Sequence, residues 1–146
     1  MNRFVVHEHH ARRLHWDFRL EVEGALKSWA VPKGPSMDPR QRRLAVETPD
    51  HELAYAGYEG VIPPGHYGAG EVRIWDQGVY EALDPEDAAL GLRRGHLRLA
   101  LYGNRLAGRF ALVKMRGPGR EKHWLLMKLR EEEARSGWKM PFLNLA

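Results

Sequence analysis

Apolar residues in this sequence recur at every second position, in short runs broken by clusters of Gly, Pro and Asp. A period of two is the repeat of a strand with one buried face, whereas an amphipathic helix repeats every ~3.6 residues. The runs at 4–6, 14–22, 28–31, 43–47, 71–75, 79–83, 96–101, 109–114 and 123–129 are the candidate strands. Nine short strands punctuated by turn residues predict a mainly β domain, a barrel or a sandwich. One helix is expected over Asp84-Pro85-Glu86-Asp87-Ala88-Ala89-Leu90, with Asp84 as N-cap, Pro85 at the first helical position and acids facing the helix dipole. A second short helix is expected near Arg130.

A chain of 146 residues suits a single domain spanning 1–146, large enough to bury a core without disulfides. There is no cysteine, so any metal must be held by nitrogen and oxygen ligands, and cysteine-based zinc sites are excluded. The first residues, MNRFVVHEHHARRLHW, contain neither the apolar run of a signal peptide nor a membrane span, and a cytoplasmic setting is expected. Lys and Arg outnumber Asp and Glu by 23 to 19, a net charge of +4. Such an excess favours polyanionic partners without requiring them.

Chemistry concentrates in Leu14-His15-Trp16-Asp17-Phe18-Arg19-Leu20. Strict alternation sends Leu14, Trp16, Phe18 and Leu20 to one face, and His15, Asp17 and Arg19 to the other. An imidazole, a carboxylate and a guanidinium in a row can grip a metal and an anion side by side, although the polar side of an antiparallel strand often carries such residues with no further role. His9, on the adjoining segment, would complete a two-histidine, one-carboxylate set with open coordination positions, suited to Mn²⁺, Zn²⁺ or Fe²⁺. His7 and His10 are assigned ordinary surface roles. Further on, His51 titrates near neutrality and is a candidate proton donor, and Tyr55 a hydrogen-bond donor to a phosphate oxygen; a surface or capping role is the plainer account of a histidine after Asp50. The loops Pro32-Lys33-Gly34-Pro35-Ser36 and Ile62-Pro63-Pro64-Gly65-His66-Tyr67-Gly68-Ala69-Gly70 are read first as turns.

Three blocks taken together resemble a known family: His9-His10-Ala11-Arg12-Arg13-Leu14-His15-Trp16-Asp17-Phe18-Arg19-Leu20, then Leu26-Lys27-Ser28-Trp29-Ala30-Val31-Pro32-Lys33-Gly34-Pro35, then Glu59-Gly60-Val61-Ile62-Pro63 with Gly65-His66-Tyr67-Gly68-Ala69-Gly70. They are similar to the 3′-phosphoesterase domain of bacterial DNA ligase D, over nearly the whole chain. The resemblance implies a compact single-domain β-barrel with one or two short flanking helices. It also implies a Mn²⁺-dependent activity on primer ends in end-joining repair, with Zn²⁺ or another divalent transition metal as alternatives. A 3′-ribonucleoside and then a 3′-phosphate would be removed to leave a 3′-hydroxyl.

By position, the resemblance implies His9, His15 and Asp17 as metal ligands, Arg19 and His51 as residues that grip and protonate the scissile phosphate with Tyr55 beside them, and Arg43 and Lys33 as phosphate or strand contacts. A Ku-like end-binding protein, a repair polymerase and an ATP-dependent ligase are the partners it implies, acting in trans. Two departures bear on the phosphatase step. Family members carry an arm upstream of the Phe-Val-Val strand, where this sequence begins Met1-Asn2-Arg3-Phe4, and they commonly carry glutamine at the position of His7. The competing expectations are a non-catalytic module that binds nucleic-acid ends and an enzyme acting on small phosphoesters.

Overall fold

The computed structural model describes residues 1–131 together with Gly137 and Trp138. Its elements are β1 (Asn2–His10), β2 (Leu14–Val22), β3 (Ala25–Val31), β4 (Arg43–Glu52), a 3₁₀ turn (Leu53–Gly57), β5 (Gly60–Ile62), β6 (Gly70–Asp84), α1 (Ala88–Arg94), β7 (His96–Tyr102), β8 (Ala107–Lys114) and β9 (His123–Lys128). The order β1-β2-β3-β4-β9-β8-β7-β6 returns from β6 to β1, closing an eight-strand antiparallel barrel that satisfies strand edges within the domain. The ninth strand, β5, lies outside that circuit. It pairs with the first part of β6 through Gly60↔Val72, while β7 takes the last part of β6 through Val79↔Tyr102. No helix among the described residues is long and apolar enough to cross a membrane.

The barrel interior holds Phe4 and Val6 of β1, Trp16, Phe18 and Leu20 of β2, Trp29 and Val31 of β3, and Leu97, Leu99, Phe110, Leu112, Trp124 and Leu126 from the opposite wall. Full burial of each such side chain contributes ~1.5–3 kcal/mol, which fixes the register of β1–β3 and therefore which residues face outward. A smaller apolar cluster, Val5, Leu26 and Ala56 with Leu53, Tyr55 and Ile74 against it, lies where the 3₁₀ turn covers the outer face of those strands. This cover buries the polar side of β2 that an open sheet would leave in water.

Two expectations are corrected by the pairing. The runs at 71–75 and 79–83 are one strand, because Asp76, Gln77 and Gly78 stay in the ladder opposite Val6, Val5 and Phe4. Their turn-like composition has another use. Asp76 is a cap for the neighbouring connection, its carboxylate accepting from the backbone N–H groups of Asn104, Arg105 and Leu106 at 2.8, 3.1 and 2.8 Å. A Cβ at Gly78 would stand 2.0 Å from the Tyr102 carbonyl oxygen, so only glycine allows that approach. The helix also begins later than expected. Asp84 remains in β6 opposite Arg98, Asp87 is the N-cap that accepts from Leu90 N–H at 3.2 Å, and no acid lies in the first turn of α1. The second helix expected near Arg130 falls largely outside the described residues.

Candidate active site

The outer face of β1 and β2 is set by their register: His9 lies opposite His15, His7 opposite Asp17, and Val5 opposite Arg19. β1 runs through to His10 rather than ending at Val6, so His7 and His9 share the face that carries His15, Asp17 and Arg19. One ligand atom from each of His9, His15 and Asp17 lies within 4.8 Å of the others. These residues line a cavity of about 240 Å³ with Arg19, Ala30, Thr48, His51, Tyr55, Ile62, Tyr67 and Gly68.

Hydrogen bonds to backbone carbonyls orient both imidazoles. Nε2 of His9 donates to Gly68 O at 2.6 Å, and Nδ1 of His15 donates to Arg13 O at 3.0 Å. The other nitrogens, His9 Nδ1 and His15 Nε2, then face Asp17 Oδ2 and Oδ1, each at 3.1 Å. Two nitrogens whose ring partners are committed to backbone acceptors, turned onto one carboxylate, call for positive charge between them, either a proton or a cation. Outer hydrogen bonds of this kind are how histidine ligands are held for a metal, so the donor set fits a divalent ion with nitrogen and oxygen preferences.

The electrostatics agree. Burial pushes the Asp17 carboxyl up, but hydrogen bonds from His15 and His9 and the charge of Arg19 overcome it and hold the group well below the usual carboxylate range. Burial alone would lower His15, yet the hydrogen bond and charge of Asp17 raise it.

Arg19 is 3% exposed and is gripped on several sides. Nη2 donates to Asp17 Oδ2 at 3.2 Å, Nη1 to Ser28 Oγ at 2.9 Å and Nε to His7 Nδ1 at 3.1 Å, and the guanidinium carbon lies 4.9 Å from the centre of the Tyr55 ring. The guanidinium keeps further N–H donors at the cavity wall. His7 is therefore no surface residue, contrary to the expectation from sequence. It is fully buried, and Nε2 donates to Tyr58 O at 3.0 Å, which leaves Nδ1 as acceptor for Arg19. Burial, reinforced by Arg19, lowers its pKa to about 4, so the imidazole is neutral at physiological pH. His10 is half-buried and contacts the carboxylate of Glu8, which is buried in the barrel.

His51, Tyr55 and Tyr58 form a stack, with ring centroids 4.3 Å apart for the first pair and 4.9 Å for the second. His51 enters from the end of β4, where a bulge against β3 re-aims the strand, and Tyr55 from the 3₁₀ turn. Burial and then Arg19 lower the His51 pKa, and burial raises that of Tyr55, which stays a hydroxyl donor.

The structure thus brings six expected residues, His9, His15, Asp17, Arg19, His51 and Tyr55, to one cavity. Lys33 and Arg43 do not line it. Lys33 is exposed on the connection between β3 and β4, and Arg43 is the first residue of β4, donating to Gln41 Oε1 at 3.1 Å. His7, Ser28, Tyr58 and Gly68 belong to the site and escaped the sequence reading. Alternation continued through β1 would have placed His7 on the face of His9; the other three carry no local signal.

Comparison with known proteins gives matches over most of the chain. The model of the DNA Ligase D 3′-phosphoesterase domain matches residues 7–114. The multifunctional non-homologous end joining protein LigD of Pseudomonas aeruginosa is 53% identical over 134 residues, 92% of this chain and 16% of that protein. The multifunctional non-homologous end joining DNA repair protein LigD of Mycobacterium tuberculosis is 43% identical over 145 residues, 99% of this chain and 18% of that protein. The chain therefore spans about a sixth of the length of these relatives.

Proposed function

The chain belongs to the DNA ligase D 3′-phosphoesterase domain family, and on that premise we propose that it is a metal-dependent phosphoesterase that processes the 3′ ends of DNA or RNA primers in double-strand break repair. The observation that carries this reading is the convergence of His9, His15 and Asp17 beside Arg19 in one cavity. The proposed reactions are hydrolysis of the terminal phosphodiester to release a 3′-ribonucleoside, then hydrolysis of the remaining 3′-phosphate to a 3′-hydroxyl.

In this reading His9, His15 and Asp17 hold the ion, Mn²⁺ first and Zn²⁺ or another divalent transition metal as alternatives. Bound there, it supplies polarisation of a phosphoryl oxygen and a lowered pKa for a coordinated water. Arg19 neutralises charge that develops on the equatorial phosphoryl oxygens, and its planar fork can hold two of them at once. Because Arg19 already binds Asp17, His7 and Ser28, it is set in place before substrate arrives. His51 grips the phosphate as an N–H donor. Once protonated beside the bound anion, it delivers that proton to the leaving oxygen. Tyr55 donates its hydroxyl to a phosphoryl oxygen and keeps His51 in plane by stacking. Lys33 and Arg43, outside the cavity, serve as backbone contacts for the strand that leads into it.

A cytoplasmic domain of this kind, spanning 1–146, would work on primer–template ends beside a Ku-like protein, a repair polymerase and an ATP-dependent ligase in trans. The test is Mn²⁺-dependent processing of a labelled primer–template ending in a single 3′-ribonucleotide or in a 3′-phosphate. The wild type should shorten or dephosphorylate the end, while folded His9→Ala and Arg19→Ala variants fail. A folded wild type that binds the duplex but alters neither end with any of several divalent metals would replace this reading with a non-catalytic end-binding module.

A further inference from the structure

Tyr67 is 77% exposed, more than any other Phe, Tyr or Trp among the described residues, and it has no hydrogen-bond or ring partner there. Yet its backbone is fixed. Two successive turns close the loop, His66 N–H donating to Pro63 O at 3.3 Å and Ala69 N–H to His66 O at 3.1 Å. The carbonyl of the next residue, Gly68, accepts from His9 at 2.6 Å. Tyr67 lines the same cavity as Arg19 and the candidate metal ligands. An aromatic ring held at a cavity mouth, left in water on a pinned loop, is a surface waiting for a planar partner.

The size of the cavity says what that partner is. At about 240 Å³ it is smaller than the ~300–1,000 Å³ of sites that enclose a whole small ligand, so it takes a phosphate and adjoining sugar atoms but leaves the base outside. Within a duplex, retained bases are stacked on both faces. The terminal base alone has a face uncovered, and stacking on an aromatic side chain is open to any base. Resting on the phosphoesterase reading above, we infer that Tyr67 stacks on the base of the nucleoside lying on the 3′ side of the scissile phosphate. It is thus a specificity-determining contact for nucleoside removal, because a 3′-phosphate end carries no such base.

The experiment compares wild type, Tyr67→Ala and Tyr67→Phe on three primer–templates: one ending in a 3′-ribonucleoside, one ending in an abasic ribose at that position, and one ending in a 3′-phosphate. Alanine should lower kcat/KM for nucleoside removal roughly 5- to 150-fold, mainly through KM, which is the range for loss of one base–aromatic stack. The losses on the abasic and 3′-phosphate ends should be at least fivefold smaller, and phenylalanine should restore nucleoside removal. Equal losses on all three ends, or a phenylalanine variant as impaired as alanine, would overturn the inference. Should the wild type turn over none of them, the function proposed above fails. Stacking is then read from affinity with Mn²⁺ present: weaker binding by Tyr67→Ala of the nucleoside-ended primer alone supports it, and unchanged binding overturns it.

Discussion

Arg19 Nε donates to Nδ1 of His7 at 3.1 Å, a diagonal contact between β1 and β2 in which a fully buried neutral imidazole is the acceptor for a buried guanidinium. Tyr58 O takes the opposite nitrogen of His7 at 3.0 Å and so fixes the tautomer that makes Nδ1 an acceptor.

From this relationship His7 holds Arg19 in place while standing outside the cavity lining. A hydrogen bond to a charged group contributes ~1.5–3 kcal/mol. His7→Ala should therefore lower kcat about 10- to 100-fold with metal affinity little changed. His7→Gln, which restores an acceptor at similar reach, should recover most of the loss. Steady-state kinetics with both variants decide it; equal impairment in the two would mean that the imidazole serves packing alone.

Divalent metal should stabilise the protein through His9, His15 and Asp17. A ligand at a hundred times its Kd adds ~2.7 kcal/mol to the unfolding free energy, a clear rise in Tm. His15→Ala, at a partly exposed position, should fold and lose that rise. Asp17→Asn should lose it too and also melt lower without metal, because Arg19 is then left buried without its carboxylate, at a cost of about 3–5 kcal/mol. Thermal melts with Mn²⁺ and with a chelator check both.

Much of this was legible in the sequence, for reasons that also mark where legibility stopped. β2 was placed at its full extent because alternation and burial coincide along it, and His15, Asp17 and Arg19 followed on its other face. That this face is covered could not be read, since the cover comes from Ala56, Tyr55 and the loop at Gly68, brought in by tertiary packing. β1 was cut short at Val6 because His7, Glu8 and His9 look polar, yet all three are buried, Glu8 inward with Trp16 and the histidines outward. Asp76 and Gly78 read as a break in β6 for the same reason. Residues chosen to cap or to permit contact with a neighbouring strand look locally like turn residues.

Closure of the barrel offers a test in alkali. Tyr80 of β6 is buried and donates its hydroxyl to Glu21 O of β2 at 2.7 Å across the first residues of β1; burial raises its pKa to about 12. A folded-state pKa above the unfolded value means the protonated phenol is favoured in the fold. Its stabilising effect is full below pH 10 and is lost as the pH rises towards 12. Unfolding free energy should fall over that interval in the wild type and fall less steeply in Tyr80→Phe, which chemical denaturation across the pH series will show.

Gly68 ties the loop to His9 of the candidate metal site, and its own geometry says how to loosen the tie. Its φ of +75° lies in the left-handed region, and a Cβ there would stand 3.4 Å from His9 Cε1. Alanine in that conformation carries a penalty of ~1–2 kcal/mol, which the loop can relieve by moving its carbonyl away from His9. The core of the barrel is untouched by such a shift, so Gly68→Ala should keep most of its thermal stability. His9, deprived of the acceptor that orients its ring, should bind Mn²⁺ about 10- to 100-fold more weakly, the usual effect of removing a partner behind a ligand. Isothermal titration with Mn²⁺ reads this directly. An unchanged affinity would mean that the Asp17 carboxylate and the β1–β2 register suffice to aim His9, and that the carbonyl of Gly68 only follows it.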